Sequence, residues 1–315
     1  MPELFNNKNK DKKFSLKKQQ WTKYLSYSLA CGLFYNNPES EISKSYQNTM
    51  HCTEVKQYDG ENMRTSYCKN RWCTTCNRIR TAINIIRFGE QISQFGHPQF
   101  ITLTRPTVSI EDLPEQIKKM EASWRQIYNY SKNKRKTPYK EGIRLIGIRK
   151  MECTLRPDEK YHYHFHLIVE GLNNAYWIRS EWLKRNPESD PKVQDIRTAD
   201  IRSLMEVFKY QTKSFTDTEE EPDYIRLNKL FEVMRGKRTL ALFGGLKVPP
   251  DIELEEFDLE VQKKEELQIR LGNHASTWVW HSKVDDWVEK ETGELLINEE
   301  IPEAVKKKAG KNSKV

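Results

Sequence analysis

The chain has 315 residues, enough for one large domain or two smaller ones with a sizeable core. It is hydrophilic, with 31% charged residues and a formal net charge of +8, a balance that favours polyanionic partners, nucleic acid first. It contains no run of about 18 apolar residues and no apolar signal-peptide segment, so neither a membrane span nor secretion is expected. Its six cysteines are then expected to be reduced thiols or metal ligands rather than disulfides.

The N-terminal part of the chain predicts a basic arm followed by a helix. Residues 1–20 carry six lysines against two acids and few apolar groups, which predicts a flexible arm. Between Trp21 and Tyr35 the apolar residues are spaced for a short amphipathic helix.

A cluster of cysteines follows this helix and predicts a structural zinc site. Cys73 and Cys76 form a Cys-x-x-Cys knuckle, in which the two-residue spacer lets both sulfur atoms reach one ion. Cys68 is the expected third ligand and Cys52 the fourth, with His51 as an alternative to Cys52. Because the spacing is less regular than that of two paired knuckles, a set of unligated cysteines stays open.

Basic residues flank the cysteine cluster and make it a candidate DNA-contacting surface. The residues singled out for contact with DNA are Arg71, Arg78 and Arg80, at the start of a predicted helix that runs on past Ile83. A purely structural role for this region is the alternative.

Two strands and a helix are predicted next. Residues 99–104 (QFITLT) indicate a buried strand that Pro106 ends. Apolar residues then repeat at three and four positions from Leu113 to Ile127, which predicts a helix. Residues 143–154 predict a central strand, because its first half is apolar on both faces. A turn at residues 157–159 joins it to the following strand as a β-hairpin.

Residues 161–170 (YHYHFHLIVE) alternate strictly between histidine and apolar or aromatic side chains. A strand sends successive side chains to opposite faces, so His162, His164 and His166 share one face and the other face enters a core. Imidazole is the commonest side-chain metal ligand near neutral pH. If the hairpin turn centres on Asp158, Glu152 lies opposite His164 at about 5 Å between Cβ atoms, and a carboxylate joins the imidazoles. A histidine-bearing strand without metal is the alternative.

A helix predicted over about residues 200–214 carries a second informative pattern. Its apolar residues face one side, while Glu206, Tyr210 and Lys213 fall within about 60° of each other on the other side. A tyrosine placed off the core face, beside a carboxylate and an amine, indicates a functional group. An ordinary, partly exposed tyrosine with a helical ion-pair neighbour is the alternative.

The last third of the chain is less informative. It predicts a helix over residues 224–234 ended by Gly236, a tight turn at residues 243–247, and the end of the main domain at residues 249–250. An acidic stretch, a tryptophan-rich segment and a lysine tail follow. The tryptophans of that segment, Trp278, Trp280 and Trp287, are expected to pack in a core rather than to stack on bases.

The order of these motifs resembles the rolling-circle replication initiators of small bacterial plasmids, part of the larger class of endonucleases with a His-hydrophobic-His signature. The first motif is matched by residues 100–104, the metal motif by His164-Phe165-His166, and the nucleophile motif by Tyr210-x-x-Lys213. The segments 68–76 and 236–247 also look like that family, so the resemblance covers roughly residues 60–250. Tyr210 follows the histidines, as in replication initiators, whereas conjugative relaxases place it ahead of them.

This resemblance implies an α+β fold with a central antiparallel β-sheet flanked by helices, preceded by a helical, zinc-binding region. The expected domains are a flexible basic arm at 1–20, a helical region with the cysteine cluster at 21–95, a nicking-joining catalytic domain at 96–250, and an extension of unknown role at 251–315.

The resemblance also implies a metal site for DNA cleavage. His164 and His166 would hold a divalent ion, with Glu152 as the leading third ligand and His162 as the runner-up. Mn²⁺ or Mg²⁺ suits such a nuclease site, although the ligand types would also admit zinc.

Three side chains of the 200–214 helix take catalytic roles by the same resemblance. Tyr210 would be the nucleophile, leaving a 5′-phosphotyrosyl enzyme and a free 3′-hydroxyl. Lys213 would stabilise the phenolate or the phosphate. Glu206, one turn before Tyr210, looks like the glutamate that takes part in termination in one plasmid subgroup.

The implied partner is single-stranded or hairpin-extruded plasmid origin DNA in the bacterial cytoplasm, with a host helicase and polymerase as further partners. A transposase or mobilisation protein with the same chemistry is one alternative. A zinc-stabilised DNA-binding regulator without catalysis is an alternative of another class.

Overall fold

The computed structural model describes residues 16–133, 143–209, 222–248, 250–260, 262 and 264–309. These residues divide into two compact units. The five-strand unit comprises the described residues of 84–209 and 229–250, and the four-strand unit those of 16–83, 222–228 and 251–309. Each unit holds an antiparallel sheet with helices, so the predicted α+β class with a central antiparallel sheet is confirmed.

The strands of the described residues are β1 Val55–Tyr58, β2 Met63–Thr65, β3 Pro98–Thr104, β4 Gly147–Leu155, β5 Tyr161–Glu170, β6 Asp195–Thr198, β7 Leu240–Phe243, β8 Ser276–His281 and β9 Asp286–Glu289. The α-helices are α1 Leu16–Asn36, α2 Ser43–Met50, α3 Thr74–Ser93, α4 Leu113–Ser131, α5 Leu172–Arg185, α6 Ile201–Phe208, α7 Tyr224–Met234, α8 Leu254–Glu260, α9 Lys264–Leu271 and α10 Glu303–Lys308.

The histidine strand β5 lies at the centre of the five-strand sheet, whose order is β6-β3-β5-β4-β7. The predicted hairpin joins β4 to β5, and its turn closes where the backbone N–H of Arg156 donates to the carbonyl of Lys160 at 2.9 Å. In the resulting register Glu152 pairs with His164, as predicted. Strand β4 begins at Gly147, four residues later than expected.

The two faces of this sheet are both covered, which is why β5 is buried along most of its length. On one face Phe165 packs edge-on against Trp124 of α4 and Trp182 of α5, at 6.4 and 6.0 Å between ring centres. On the other face Ile148 and Ile168 belong to a core that α6 completes. The histidines and Glu152 project on the α6 side, because they share the parity of Ile168 and Ile148 along their strands.

Helix α6 is shorter than the sequence predicts. Asp200 caps its N-terminus by accepting a hydrogen bond from the backbone N–H of Ser203 at 2.8 Å. The helix ends at Phe208, and Lys209 is extended, with φ −61° and ψ 127°. The expectation of one continuous helix over 200–214 is therefore wrong at Lys209, and residues 210–214 lie outside the described residues. The carbonyl groups of Glu206 and Lys209 accept hydrogen bonds from the Lys150 side chain instead.

The four-strand sheet, of order β2-β1-β8-β9, was not foreseen. Residues from the end of the chain form half of it, because β8 pairs antiparallel with β1. Trp278, Trp280 and Trp287 are at most 7% exposed in its core, which confirms that these tryptophans pack. Residues 251–309 thus belong to the same compact unit as the cysteine region. The other predicted domain boundaries stay predictions.

Within the described residues, no helix combines the length and the apolar character that crossing a membrane requires.

Replacement of Trp287 by alanine is expected to destabilise the four-strand unit by about 3–5 kcal/mol, because it empties a fully buried site and removes the indole hydrogen bond to the Thr53 carbonyl at 2.8 Å. Urea unfolding followed by circular dichroism measures this change. Ile269→Ala is the control, because Ile269 is 88% exposed and should change stability by less than about 0.5 kcal/mol. Equal stabilities of the two variants would contradict the assignment of this core.

Candidate metal centres

Three side chains of the β4–β5 hairpin bring potential ligand atoms to one point: Glu152, His164 and His166. The two Nε2 atoms face each other at 3.0 Å. One carboxylate oxygen of Glu152 lies 3.4 Å from Nε2 of His166 and 3.8 Å from Nε2 of His164. All three residues are at most 7% exposed. Two imidazole nitrogens and a carboxylate oxygen are a donor set that fits a divalent cation.

The electrostatics of His164 and Glu152 favour the protonation states that bind a metal. Burial, reinforced by the neighbouring His166, lowers the pKa of His164 to about 3, so its ring is neutral at pH 7. Burial alone would raise the pKa of Glu152. The hydrogen bond with His166 and the charge of Lys150 outweigh that effect and hold it well below its usual value. The site therefore presents the neutral imidazole of His164 and the ionised carboxylate of Glu152.

Residues of β3 hold the ring of His166 in place. The hydroxyl of Thr102 lies 3.2 Å from its Nδ1, which leaves Nε2 as the atom that faces Glu152. Phe100 stacks on the same ring with 5.2 Å between ring centres. Hydrogen bonds of this kind to the second ring nitrogen orient metal-binding histidines. Nδ1 of His164 is buried and has no hydrogen-bond partner in the described residues.

The third histidine of the row lies apart from this group. His162 stacks on His164, with 4.7 Å between ring centres, but its nitrogen atoms are not among those that converge with Glu152. It pairs with Thr154 next to the turn of the hairpin and is partly exposed. Between the two predicted third ligands, the structure therefore places Glu152 in the group and His162 outside it.

Helix α6 lies on the same face of the sheet as this group and is joined to it by Lys150. The Nζ of Lys150 is 3.5 Å from the Glu152 carboxylate and 3.2 Å from the carbonyl of Glu206, and it also donates to the carbonyl of Lys209. The predicted catalytic residue Glu206 is partly buried on α6. The predicted nucleophile Tyr210 and its partner Lys213 lie outside the described residues.

The four predicted cysteines form a second group, in the four-strand unit. The Sγ atoms of Cys52, Cys68, Cys73 and Cys76 all lie within 4.8 Å of one another. Three of the separations are 3.6 Å: Cys52 to Cys76, Cys68 to Cys76, and Cys52 to Cys73. No disulfide joins them. Tetrahedral ligation with Zn–S bonds of about 2.3 Å would set the sulfur atoms roughly 3.8 Å apart, so the four thiols fit a zinc ion.

His51, the predicted alternative to Cys52 as fourth ligand, is not part of the cysteine group. His51 is exposed, and its Nδ1 is 2.7 Å from the Glu54 carboxylate. Cys52 instead contributes its sulfur to the group, and its carbonyl accepts a hydrogen bond from the buried Lys23 at 2.8 Å.

The three arginines proposed to contact DNA differ in their surroundings. Arg71 is exposed. Arg78 is partly buried. Burial lowers the pKa of its guanidinium group, although the negative charge of Asp258 acts in the opposite direction. Arg80 donates to the carbonyls of Lys69 and Asn70, the residues that follow Cys68. Arg78 and Arg80 thus make intramolecular contacts in the cysteine region, and any role of the three in DNA binding stays a prediction.

Sequence reasoning missed two residues that contact the hairpin group, Thr102 and Lys150. Thr102 was included only as part of the first motif. Lys150 lies in a strand that is otherwise largely apolar, and a lysine is almost never fully buried unless it is paired. A lysine in a strand predicted to be buried was therefore the signal that could have identified Lys150.

The fold is α+β, and its central hairpin carries a His-hydrophobic-His group beside a carboxylate. Residues 60–288, well over half of the chain, match the family Rep_1, described as replication protein. The chain belongs to this replication protein family, which confirms the resemblance to plasmid replication initiators. The match runs past residue 250, where the resemblance was expected to end, and takes in β8 of the four-strand sheet.

Individual relatives agree with this assignment. The chain is 23% identical to a protein named "Protein rep" from Lentilactobacillus hilgardii over 72% of this chain and 82% of the relative. It is 29% identical to "Protein rep" from Staphylococcus aureus over 46% of this chain and 69% of the relative. A third "Protein rep", from Bacillus amyloliquefaciens, is 23% identical over 71% and 76% of the two chains. No solved structure matches the chain.

Thr102→Val should weaken Mn²⁺ binding by about 10- to 100-fold, because His166 loses the hydroxyl that orients its ring while the shape of the side chain is kept. Isothermal titration calorimetry measures the dissociation constant. Thr154→Val is the matched control, since the Thr154 hydroxyl lies 3.5 Å from the backbone carbonyl of His162 rather than beside a ring nitrogen of the Glu152, His164 and His166 group. Equal Mn²⁺ affinities of the two variants would contradict the role of Thr102.

Wild-type protein should retain zinc through purification and Cys76→Ser should lose it, because a tetrahedral thiolate site is broken when one ligand is removed. The metal content measured by mass spectrometry and the thermal midpoint should both fall. Cys31→Ser is the control, because Cys31 forms no disulfide and lies outside the cluster. Zinc retained in full by Cys76→Ser would rule out the site.

Proposed function

We propose that this protein initiates rolling-circle replication by nicking one DNA strand at a plasmid origin and rejoining it at termination. The observation that carries the proposal is the convergence of Glu152, His164 and His166 on the sheet face against which α6 packs. Lys209, the residue after α6, directly precedes the predicted nucleophile Tyr210 in the sequence. Membership of the replication protein family supports an initiator over a transposase with the same chemistry.

The metal centre is proposed to act on the scissile phosphate. His164 and His166 would bind through Nε2 and Glu152 through a carboxylate oxygen. A divalent ion held there, Mn²⁺ or Mg²⁺, would neutralise and polarise the phosphate that is cut. The hairpin fixes the three ligands to adjacent strands, so the phosphate would be held at one position.

Tyr210 is proposed to attack that phosphate. Its hydroxyl oxygen would form a bond to phosphorus while the bond from phosphorus to the 3′ oxygen breaks, and the phenolic proton would end on that 3′ oxygen through solvent. The products are a 5′-phosphotyrosyl enzyme and a free 3′-hydroxyl for a polymerase to extend. A tyrosine hydroxyl has a pKa near 10, so the attack needs help, and Lys213 is proposed to stabilise the phenolate or the phosphate.

Glu206 is proposed to act at the second cut, when replication ends. Its carboxylate, four residues before Tyr210 in the sequence, would accept a proton from a water molecule whose oxygen bonds to phosphorus while the bond from phosphorus to the 3′ oxygen breaks, which leaves a 5′-phosphate and a 3′-hydroxyl. That 3′-hydroxyl would then attack the phosphotyrosyl phosphorus, and the tyrosine oxygen would leave and take up a proton, so that the first strand is rejoined and Tyr210 is freed. Cleavage by water releases the strand without a second tyrosine adduct, so one tyrosine is enough for a complete cycle.

The DNA is proposed to be single-stranded or extruded at the nick, because the buried metal centre can reach only an unstacked phosphate. The net charge of +8 supports binding to the DNA backbone. The cysteine region is proposed to hold zinc as a structural element, with exposed Arg71 as a contact to DNA.

Tyr210→Phe should abolish the covalent adduct, because the variant lacks the attacking oxygen. The assay incubates the protein and Mn²⁺ with overlapping single-stranded oligonucleotides that tile the replicon encoding the chain, and detects the adduct on denaturing gels and the modified tyrosine by mass spectrometry. Tyr176→Phe is the matched control, because Tyr176 is 54% exposed on α5 and lies outside the motifs.

Further outcomes of the same assay separate the alternatives. Adducts that persist in Tyr210→Phe would move the nucleophile to another residue. His164→Ala combined with His166→Ala should remove Mn²⁺-dependent nicking while DNA binding is retained, and undiminished cleavage would refute the metal assignment. Salt-sensitive DNA binding by the wild-type protein without any adduct would favour the non-catalytic regulator.

A further inference from the structure

Lys150 is a buried cation in the central hairpin, and neither the family motifs nor the proposed chemistry uses it. It is 4% exposed and pairs across the strands with His166. Burying an ammonium group is costly unless charged or polar partners replace its water shell. The partners that Lys150 has gained therefore indicate what it does.

The partners of Lys150 belong to two different elements. On β4, the carboxylate of Glu152 lies 3.5 Å from its Nζ. On the other side, Nζ donates to the carbonyl of Glu206 at 3.2 Å and to the carbonyl of Lys209. The last carbonyls of a helix have no partner within the helix, and they form the negative end of its dipole. Lys150 thus satisfies the C-terminal end of α6 while it touches a predicted metal ligand.

We propose that Lys150 is a positioning residue that fixes the end of α6 against the metal centre. Its ammonium group replaces the hydrogen bond that a continuing helix would give to the Glu206 carbonyl, and so it helps to end α6 at Phe208. The chain that leaves at Lys209 then starts from a fixed point beside Glu152. The inference rests on the proposed function, in which that chain leads to the nucleophile, and it concerns only the backbone up to Lys209.

Positioning the metal ligands is not enough to explain why a lysine occupies position 150. An ammonium group 3.5 Å from a carboxylate attracts it, but it also repels a divalent cation bound to that carboxylate. A residue present only to assist the ion would therefore be better uncharged. The anchoring of α6 is the contact that requires a donor with several protons at this position.

Lys150→Met tests the inference, because it keeps the length of the side chain and removes its charge and its donors. Mn²⁺ affinity, measured by electron paramagnetic resonance, should be unchanged or tighter. The rate of adduct formation at saturating Mn²⁺ should fall by about 10- to 100-fold, because the attacking group is no longer held in position. Lys160→Met is the matched control, since Lys160 is exposed at the turn of the same hairpin, and it should keep the wild-type rate.

Each outcome of this experiment decides the inference. A wild-type rate in Lys150→Met, or a loss of Mn²⁺ affinity that accounts for the slower rate, would overturn it while the proposed function stands. Absence of an adduct with the wild-type protein would overturn the proposed function and the inference together. If Lys150→Met melts below the assay temperature, Lys150→Arg replaces it. The arginine keeps the cation and donors and should retain a rate within about 10-fold of wild type, and a larger loss at unchanged Mn²⁺ affinity would overturn the anchoring role.

Discussion

The antiparallel pairing of β4 with β5 in one register is the constraint on which the candidate active site depends. Glu152 and His164 are partners across the two strands, and His166 follows on the same face. A slip of one residue would turn Glu152 to the opposite face, toward α4 and α5, because side chains alternate along a strand. Burial of both faces prevents such a slip, since every apolar side chain of the hairpin would move to the wrong side as well.

Charge pairing on the α6 side of the sheet follows from that register. Ionised Glu152 and the ammonium group of Lys150 are both buried, and their opposite charges partly neutralise each other. The remaining donors of Lys150 reach the carbonyls at the end of α6. A buried polar network is stable only when its members are satisfied. The hairpin and the helix are therefore held in one arrangement by Lys150, which also contacts the proposed metal ligand Glu152.

The four-strand unit depends on a different kind of constraint, the joining of residues that are distant in sequence. Cys52, Cys73 and Cys76 lie in one apolar cluster with Leu254 and Phe257, which come from the part of the chain after residue 250. Strand β8 completes the sheet that β1 begins. The family match that continues to residue 288 agrees with this arrangement, since a unit that needs β8 would carry it in its relatives.

The sequence by itself determined the elements whose patterns are local. The alternation of residues 161–170 and the turn at 157–159 were enough to predict the hairpin, its register and the Glu152–His164 pair. The spacing of apolar residues was enough to predict α4. The cysteine spacing was enough to predict the four thiols that converge. The motifs in their order were enough to predict the replication protein family.

Only the tertiary structure decided the features that depend on contacts between distant residues. Helix α6 ends at Phe208, where the carbonyl groups of Glu206 and Lys209 accept hydrogen bonds from Lys150, more than 50 positions away in the chain, whereas the local apolar spacing favoured a longer helix. The four-strand sheet depends on pairing between residues 55–58 and 276–279, which no periodicity within either segment encodes. Whether Glu152 or His162 lies with the atoms of His164 and His166 likewise depends on which atoms meet in space, since both share the face that alternation assigns.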